Sequence, residues 1–209
     1  MAIANGYATL IEARAQVSIT DATHTGDDTV IEGLVETSSR AIDLLTGRRF
    51  YANSSDETRY YTSNDTTLFQ CPDDIASVTT LATDDTGDYD YSDTWTVSTD
   101  FWLEPVNAAL DSKPYTQIRA HPTGSYTFPT IVKGIKIVGK FGWYVGSAIE
   151  PEIATATLML TSRLYSRRNT PEGVAGTTSL GTVIMIAKRD PDIMELLRPF
   201  MRDMGVAAI

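Results

Sequence analysis

DDTVIEGLVETSSRAIDLLTGRRFY, residues 27–51, carries the decision about the fold. Ile31, Leu34, Val35, Ser38, Ile42 and Leu45 recur at the i, i+3, i+4, i+7 spacing of one helix face, which predicts a helix near Asp28–Leu45. Asp27, Asp28 or Thr29 can cap its start, and Glu32 suits the positive end of the helix dipole. Gly47 stands where a left-handed residue ends a helix at no steric cost. The chain then reads Arg48-Arg49-Phe50-Tyr51 and turns extended. Upstream, Tyr7–Val17 sets Leu10, Ala13 and Val17 on one face of a shorter helix. A polar loop containing Gly26 joins the two.

Beyond this joint the residue types change. From Thr58 to Trp143 the chain is rich in Thr, Tyr, Val, Ile and Trp, interrupted by Asp, Gly, Asn and Pro. Strands are expected at 58–62, 67–70, 75–82, 94–99, 101–103, 116–120 and 131–141. In the last, Ile135, Ile137, Gly139, Phe141 and Trp143 alternate onto one face. Short strands at this spacing predict a small β-sandwich or barrel-like insert.

At Ala148 the pattern turns helical again. Glu150-Pro151-Glu152 is a helix start, and Ile153, Ala156, Thr157, Leu160 and Leu164 form its apolar face. Residues 169–182 are rich in Gly, Thr and Ser and read as a flexible loop, followed by a possible strand at 183–187. Asp190 caps a last helix with Ile193, Leu196, Leu197, Phe200 and Met201 on one face, and Pro199 kinks or ends it. The reading is an α+β fold. Residues 1–51 and 146–209 form a helical domain, an N-terminal helix pair plus C-terminal helices, and 52–145 are an inserted antiparallel β domain.

The 209 residues carry a net charge of −10. That excludes a general nucleic-acid coat, which needs an excess of Lys and Arg. Residues 1–130 hold 20 acidic and 7 basic side chains, whereas 131–209 hold 7 and 10. Such asymmetry suits copies that dock head to side. The single cysteine, Cys71, permits no intrachain disulfide and reads as a small buried hydrophobe. No apolar run reaches the ~20 residues of a membrane span. The opening Met1-Ala-Ile-Ala-Asn-Gly lacks the features of a secretory signal, so use without secretion is expected.

Little in the sequence points to catalysis. His24 and His121 have no metal-spaced partners, there is no G-x-S-x-G, and no phosphate-binding Gly loop is present. Asp84-x-x-Gly87-Asp88-x-Asp90 matches a Ca²⁺ loop only weakly and lacks the EF-hand spacing, so a solvated hairpin tip is expected. No metal and no cofactor are called for. Trp95, Phe101, Trp102, Tyr126, Phe128, Trp143 and Tyr144 invite a carbohydrate-binding face. Core packing is the simpler expectation for Phe101, Phe141 and Trp143. Arg163, Arg167, Arg168, Lys188, Arg189, Arg198 and Arg202 form a basic cluster. It is read first as a subunit contact, then as solvated helix ends, then as a DNA contact. The apolar segment 206–209 is a candidate to order on assembly.

Four stretches resemble the adaptor, or head–tail connector, proteins of tailed bacteriophages. VIEGLVETSSRAIDLLTGRRFY (30–51) is similar to a family helix with a Gly-Arg-x-Phe exit. Leu68-Phe-Gln-Cys-Pro72-Asp73-Asp74 resembles its Leu-x-x-Pro-Asp-Asp-like turn, which precedes a Val-x-Ser-Val-like strand. DFWLEPVNAALDSKPYTQIRA (100–120) is similar to a Tyr-x-Leu-x-Pro-x-Asn segment followed by Pro-Tyr-x-x-Ile. KRDPDIMELLRPFMR (188–202) resembles the closing Asp-Pro and Leu-Leu-x-Pro-Tyr-Arg pattern, with Phe200 and Met201 where Tyr and Arg are common.

The resemblance implies a structural virion protein of the neck, assembled in the host cytoplasm, and no enzyme. It implies a ring, commonly of twelve copies, beneath the portal protein. Such a ring extends the DNA channel without reading sequence and recruits a stopper or tail-completion protein. It would be built by the helical part, with the β insert outside or below, and involves no membrane. On this reading the portal or subunit interface comprises Arg163, Arg167, Arg168, Arg189, Arg198, Arg202, Val206 and Ile209. Another tail or neck component, or a carbohydrate-binding module, is the alternative.

Overall fold

The computed structural model describes residues 3–21, 23–143, 149–168, 174–177, 183–185 and 190–202. The fold is α+β, and the chain divides into two compact units, Met1–Gly47 with Ile149–Ile209, and Arg48–Ala148.

In the helical unit, α1 (Leu10–Gln16) opens with a capping box: Thr9 Oγ1 accepts from the Glu12 N–H, and the Glu12 carboxylate accepts from the Thr9 N–H. The second helix, α2 (Asp28–Thr46), ends at Gly47 with φ +66°, as its position predicts. Asp27 is the N-cap residue but makes no side-chain cap; its carboxylate accepts from Tyr165 Oη at 2.7 Å and Arg168 Nη1 at 2.9 Å instead. The α3 helix (Pro151–Arg167) starts on its proline, whose missing N–H costs nothing in the first turn. The last helix, α4 (Pro191–Leu197), is capped by Asp190 and gives way to a 3₁₀ turn, Arg198–Phe200, around Pro199.

The faces of α2 differ in detail from the periodicity. Ile31, Val35, Ser38 and Ile42 are buried, but so are Ser39 and Thr46, while Leu45 is 36% exposed. On α3 the buried set is Ile153, Ala156, Thr157 and Thr161. The small side chains let the two helices approach closely. Their hydroxyls are satisfied locally: Ser39, Thr46 and Thr157 donate to carbonyls one turn back, and Thr161 bonds Ser38 across the pair at 3.1 Å.

Two short strands, β7 (Val174–Thr177) and β8 (Val183–Met185), pair antiparallel. The segment read as a flexible loop therefore contains a strand: β-prone Val174 and Thr177 have pairing partners in Met185 and Val183.

The β unit is one six-stranded antiparallel sheet. Its strands are β1 (Glu57–Tyr61), β2 (Leu68–Thr83), β3 (Asp93–Trp95), β4 (Phe101–Glu104), β5 (Tyr115–Ala120) and β6 (Ile135–Phe141). The order is β1-β6-β2-β5-β4, with β3 on β2, so it is an open sheet and not the expected sandwich or barrel. The reason is β2. It runs 16 residues where two strands were expected, pairing with β5 through Leu68–Ile75 and with β6 through Ile75–Thr83. Cys71–Asp74 fall in an irregularity of the β5 pairing, the kind of place where a strand tolerates Pro72. The alternation on β6 is as expected: Ile135, Ile137, Gly139 and Phe141 are buried and Lys136, Val138 and Lys140 are not. Phe69, Cys71, Ile75, Leu81, Ile118, Ile135, Ile137 and Phe141 belong to one apolar core.

Candidate functional site

The basic cluster splits when placed on the fold. Arg163 reaches Asp190 at 3.1 Å and ties α3 to the cap of α4. Arg168 lies on Asp27 at 2.9 Å and over the Tyr165 ring at 4.6 Å, tying the end of α3 to the start of α2. Hydrogen bonds from Arg168 and Tyr165 hold the Asp27 carboxyl below its ordinary range, and the Asp27 carboxylate raises Tyr165 and Arg168 in turn. These two arginines hold the helical unit together. Arg167 is exposed, and Arg198, 77% exposed, has Glu195 at 3.8 Å. The Arg202 N–H donates to the Thr46 carbonyl at 2.8 Å, which seats the chain after α4 against the end of α2. Arg189, Val206 and Ile209 lie outside the described residues, as does Lys188.

Residues from two of the resembling stretches meet in the β unit, where sequence alone did not pair them. Arg48 Nη1 donates to Asp74 Oδ1, with the two side chains 15% and 1% exposed. Its guanidinium also sits 5.0 Å from the Trp143 ring centre. Phe50 is buried and tilts against Trp143 at 5.6 Å. The Gly142 N–H donates to the Asp74 carbonyl at 2.8 Å and the Trp143 N–H to the Arg49 carbonyl at 2.7 Å. Thus the Gly-Arg-Arg-Phe exit, the Pro-Asp-Asp turn and the end of β6 are locked together. The signal was present as two motifs, each with an ionisable residue of opposite sign.

Beside this lock runs a surface network. Glu57 accepts from Arg49 at 3.0 Å and Arg59 at 2.6 Å; Arg59 also pairs with Asp73 at 2.7 Å, and Tyr61 Oη donates to Asp73. Burial pushes the Glu57 carboxyl up, but hydrogen bonds from Arg59 and Arg49 outweigh it and leave it below the usual range. Its folded pKa is therefore below its unfolded one. Its contribution is fully present above the unfolded value, ordinarily about 4.3, and is lost as pH falls through the folded value. Chemical denaturation of wild type and Glu57→Gln from pH 7 to pH 3 is expected to show a stability gap that closes on acidification. A gap that stays constant would count against the assignment.

The acidic loop does bring Asp84, Asp88 and Asp90 within 4.8 Å of one another. Asp84, however, is a turn builder: Oδ1 accepts from the Thr86 and Gly87 N–H groups, and Oδ2 from Tyr89 N–H at 2.8 Å. Burial raises the Asp84 carboxyl, and these bonds more than reverse it. Of the aromatics, Trp95, Phe101, Phe128 and Trp143 are buried, Trp102 and Tyr126 are half-buried, and Tyr144 lies outside the described residues. Trp95 is 4% exposed, stacks on Phe128 at 4.7 Å and donates Nε1–H to Thr83 at 2.9 Å. Trp102 is half-buried against His121, 4.5 Å away. A sugar-binding face thereby loses Trp95, Phe101 and Phe128. Among the described residues no helix is long and apolar enough to cross a membrane.

No family model matches the sequence, and no curated protein matches it. Solved structures do share the fold. A chain from the neck of an empty GTA particle, determined with C6 symmetry, superposes with a TM-score of 0.61 at 19% identity, covering 98% of this chain and 95% of that one. A chain from the neck of the native particle with C12 symmetry gives 0.58 at 17% identity, and one from the native gene transfer agent (GTA) virion 0.61 at 17%, with the same coverages. At these identities the likeness is one of fold, and it runs the length of both chains.

Proposed function

We propose that this chain is a structural neck protein of a tailed-phage-like particle, and within the neck the head–tail adaptor. Copies close into a ring, most simply of twelve, beneath the portal protein, extend the DNA channel and offer a platform to a stopper or tail-completion protein. The work is geometric and requires no catalysis. The observation that carries the reading is the end-to-end fold likeness to chains of GTA necks, where C6 and C12 symmetry were applied. It is supported by the joining of the helix exit to the Pro-Asp-Asp turn through Arg48 and Asp74. A cyclic ring needs two different faces per copy. In this proposal the helical domain supplies them. Of the basic residues, Arg167, Arg168 and Arg198 are exposed and offered to the portal or to a neighbour, with half-buried Arg163 in α3, whose end carries the first two, and Arg189, Arg202, Val206 and Ile209 beside Arg198 in sequence.

Purified chain added to portal-bearing, DNA-filled capsids is expected to appear by cryo-electron microscopy as a ring under the portal. Density farther down the tail, or none, would overturn the adaptor role. A truncation meant to remove the portal contact must fall after Arg202. Ile193 and Leu197 are buried and Asp190 holds Arg163, so a cut before Asp190 would damage the helical unit itself. Deletion of residues 203–209 is expected to abolish portal binding. Unchanged binding would remove that segment from the interface.

A further inference from the structure

Helix α2 has three sides. One is the core face of Ile31, Val35 and Ile42. A second carries the helix's charges, most of them bonded within the chain: Asp28 pairs with Arg14, Glu36 accepts the Ala4 and Asn5 N–H groups, and Arg40 and Asp43 contact the Tyr7 ring and hydroxyl. The third side carries no charge. Val30, Leu34, Thr37, Ala41 and Leu44 follow one another at steps of 4, 3, 4 and 3 residues, flanked by Gly33 and Leu45. That is the spacing of a seam that receives another helix. The side is open: Leu44 is 86% exposed, Val30 40%, and a Cβ built on Gly33 meets nothing within 4 Å. Thr37 returns its hydroxyl to the Gly33 carbonyl at 2.8 Å, which leaves its methyl for contact.

Helix α3 carries a second uncharged row. Thr155, Met159, Ser162 and Ser166 follow at steps of 4, 3 and 4 residues; Thr155 and Ser166 are exposed and the middle two half-buried. Inside one copy α2 and α3 already pack through different faces, around Ser38 and Thr161. The two outer rows have matched spacing, and neither sets a charge against the other. They are different surfaces, as a closed ring requires, since a contact between identical patches stops at a dimer.

We infer that the Val30–Leu44 row of α2 is the seat for a second copy of this chain, which presents the Thr155–Ser166 row of its α3. The intrachain α2–α3 pair is thereby continued from copy to copy around the ring. This rests on the ring reading proposed above and names the surfaces that close it.

The test uses full-length chain with Cys71→Ser as background, assembled on portal-bearing capsids. One batch carries Thr37→Cys and a second, tagged batch carries Ser162→Cys, so a disulfide joining tagged to untagged chain is necessarily between copies. Both positions are mid-row, which makes the result insensitive to the direction in which the helices cross. The expected result is a tagged–untagged crosslink in the assembled material. Thr37→Arg should in addition abolish ring density while keeping the wild-type melting temperature, because Thr37 is exposed. Ser162→Asp in the same chain is expected to restore rings. Wild-type rings without the crosslink, and unchanged by Thr37→Arg, overturn this inference and leave the adaptor reading standing. Failure of wild type to form any ring overturns both.

Discussion

Asp74→Ala is expected to destabilise the protein by about 3–5 kcal/mol, the cost of removing one partner of a buried ion pair. The Asp74 side chain is 1% exposed and the Arg48 guanidinium 15%, so the cation stranded by the substitution has little access to water. The damage spreads further than a single pair. Arg48 also lies over Trp143, and the Asp74 backbone carbonyl holds the Gly142 N–H. Loosening the turn therefore loosens the end of β6 and the chain entering the β unit together. For a chain of this length the melting temperature falls by about 2–4 °C per kcal/mol, so a drop of roughly 10 °C is the expected reading. The double variant Arg48→Met with Asp74→Leu discriminates. If an uncompensated buried charge is the cause, the apolar pair should recover most of the loss. A single variant that melts within about 2 °C of wild type would remove the pair from the list of what holds this unit together.

The helices were legible because their cues are local. Gly47 announces the end of α2 through its own φ preference, and Asp190-Pro191 announces α4 through a cap and a residue suited to the first turn. The β6 strand was legible because period-2 burial survives in any sheet with one covered face. What the sequence hid is tertiary. Cys71-Pro72-Asp73-Asp74 looks like a turn, and two strands were expected around it. Yet the chain continues as one strand, because β5 pairs with its first half and β6 with its second. Ser39 and Thr46 lie outside the face read from the periodicity, yet they are buried, because a hydroxyl that donates to the carbonyl one turn back is buried at little cost. The basic cluster was visible as composition, but its pairings within the chain were not. Asp27 looked like a helix cap, whereas its carboxylate spends both oxygens on α3, through Tyr165 and Arg168. Charge counts along a chain do not say which cations are already paired. Arg163 is half-buried on Asp190, and Arg168 is tied to Asp27 while remaining exposed, as Arg167 and Arg198 are.

Gly142→Ala is expected to cost at least about 3 kcal/mol, at the upper end of what a single strained backbone position stores, with a steric clash added. Gly142 has φ +138°, a region that a residue with a Cβ rarely adopts, and that Cβ would stand 2.2 Å from the Tyr51 carbonyl oxygen and 2.8 Å from its carbon. Neither atom can rotate away, because both belong to the backbone of the segment entering the β unit. Moving that segment stretches the bond from Trp143 N–H to the Arg49 carbonyl, and moving Gly142 instead stretches its own bond to Asp74. Gly33→Ala supplies the opposite sign from the same change of residue. Gly33 lies inside α2, a Cβ there meets nothing within 4 Å, and alanine in a helix interior stabilises by about 0.5–1 kcal/mol relative to glycine. Urea titrations of the two variants beside wild type read both effects on one scale. A lower midpoint for Gly142→Ala and a higher one for Gly33→Ala are expected. Equal midpoints would mean that the close approach of Gly142 to Tyr51 is relieved without loss. In that case the joint between the helix exit and β6 would be softer than the paired charges of Arg48 and Asp74 imply.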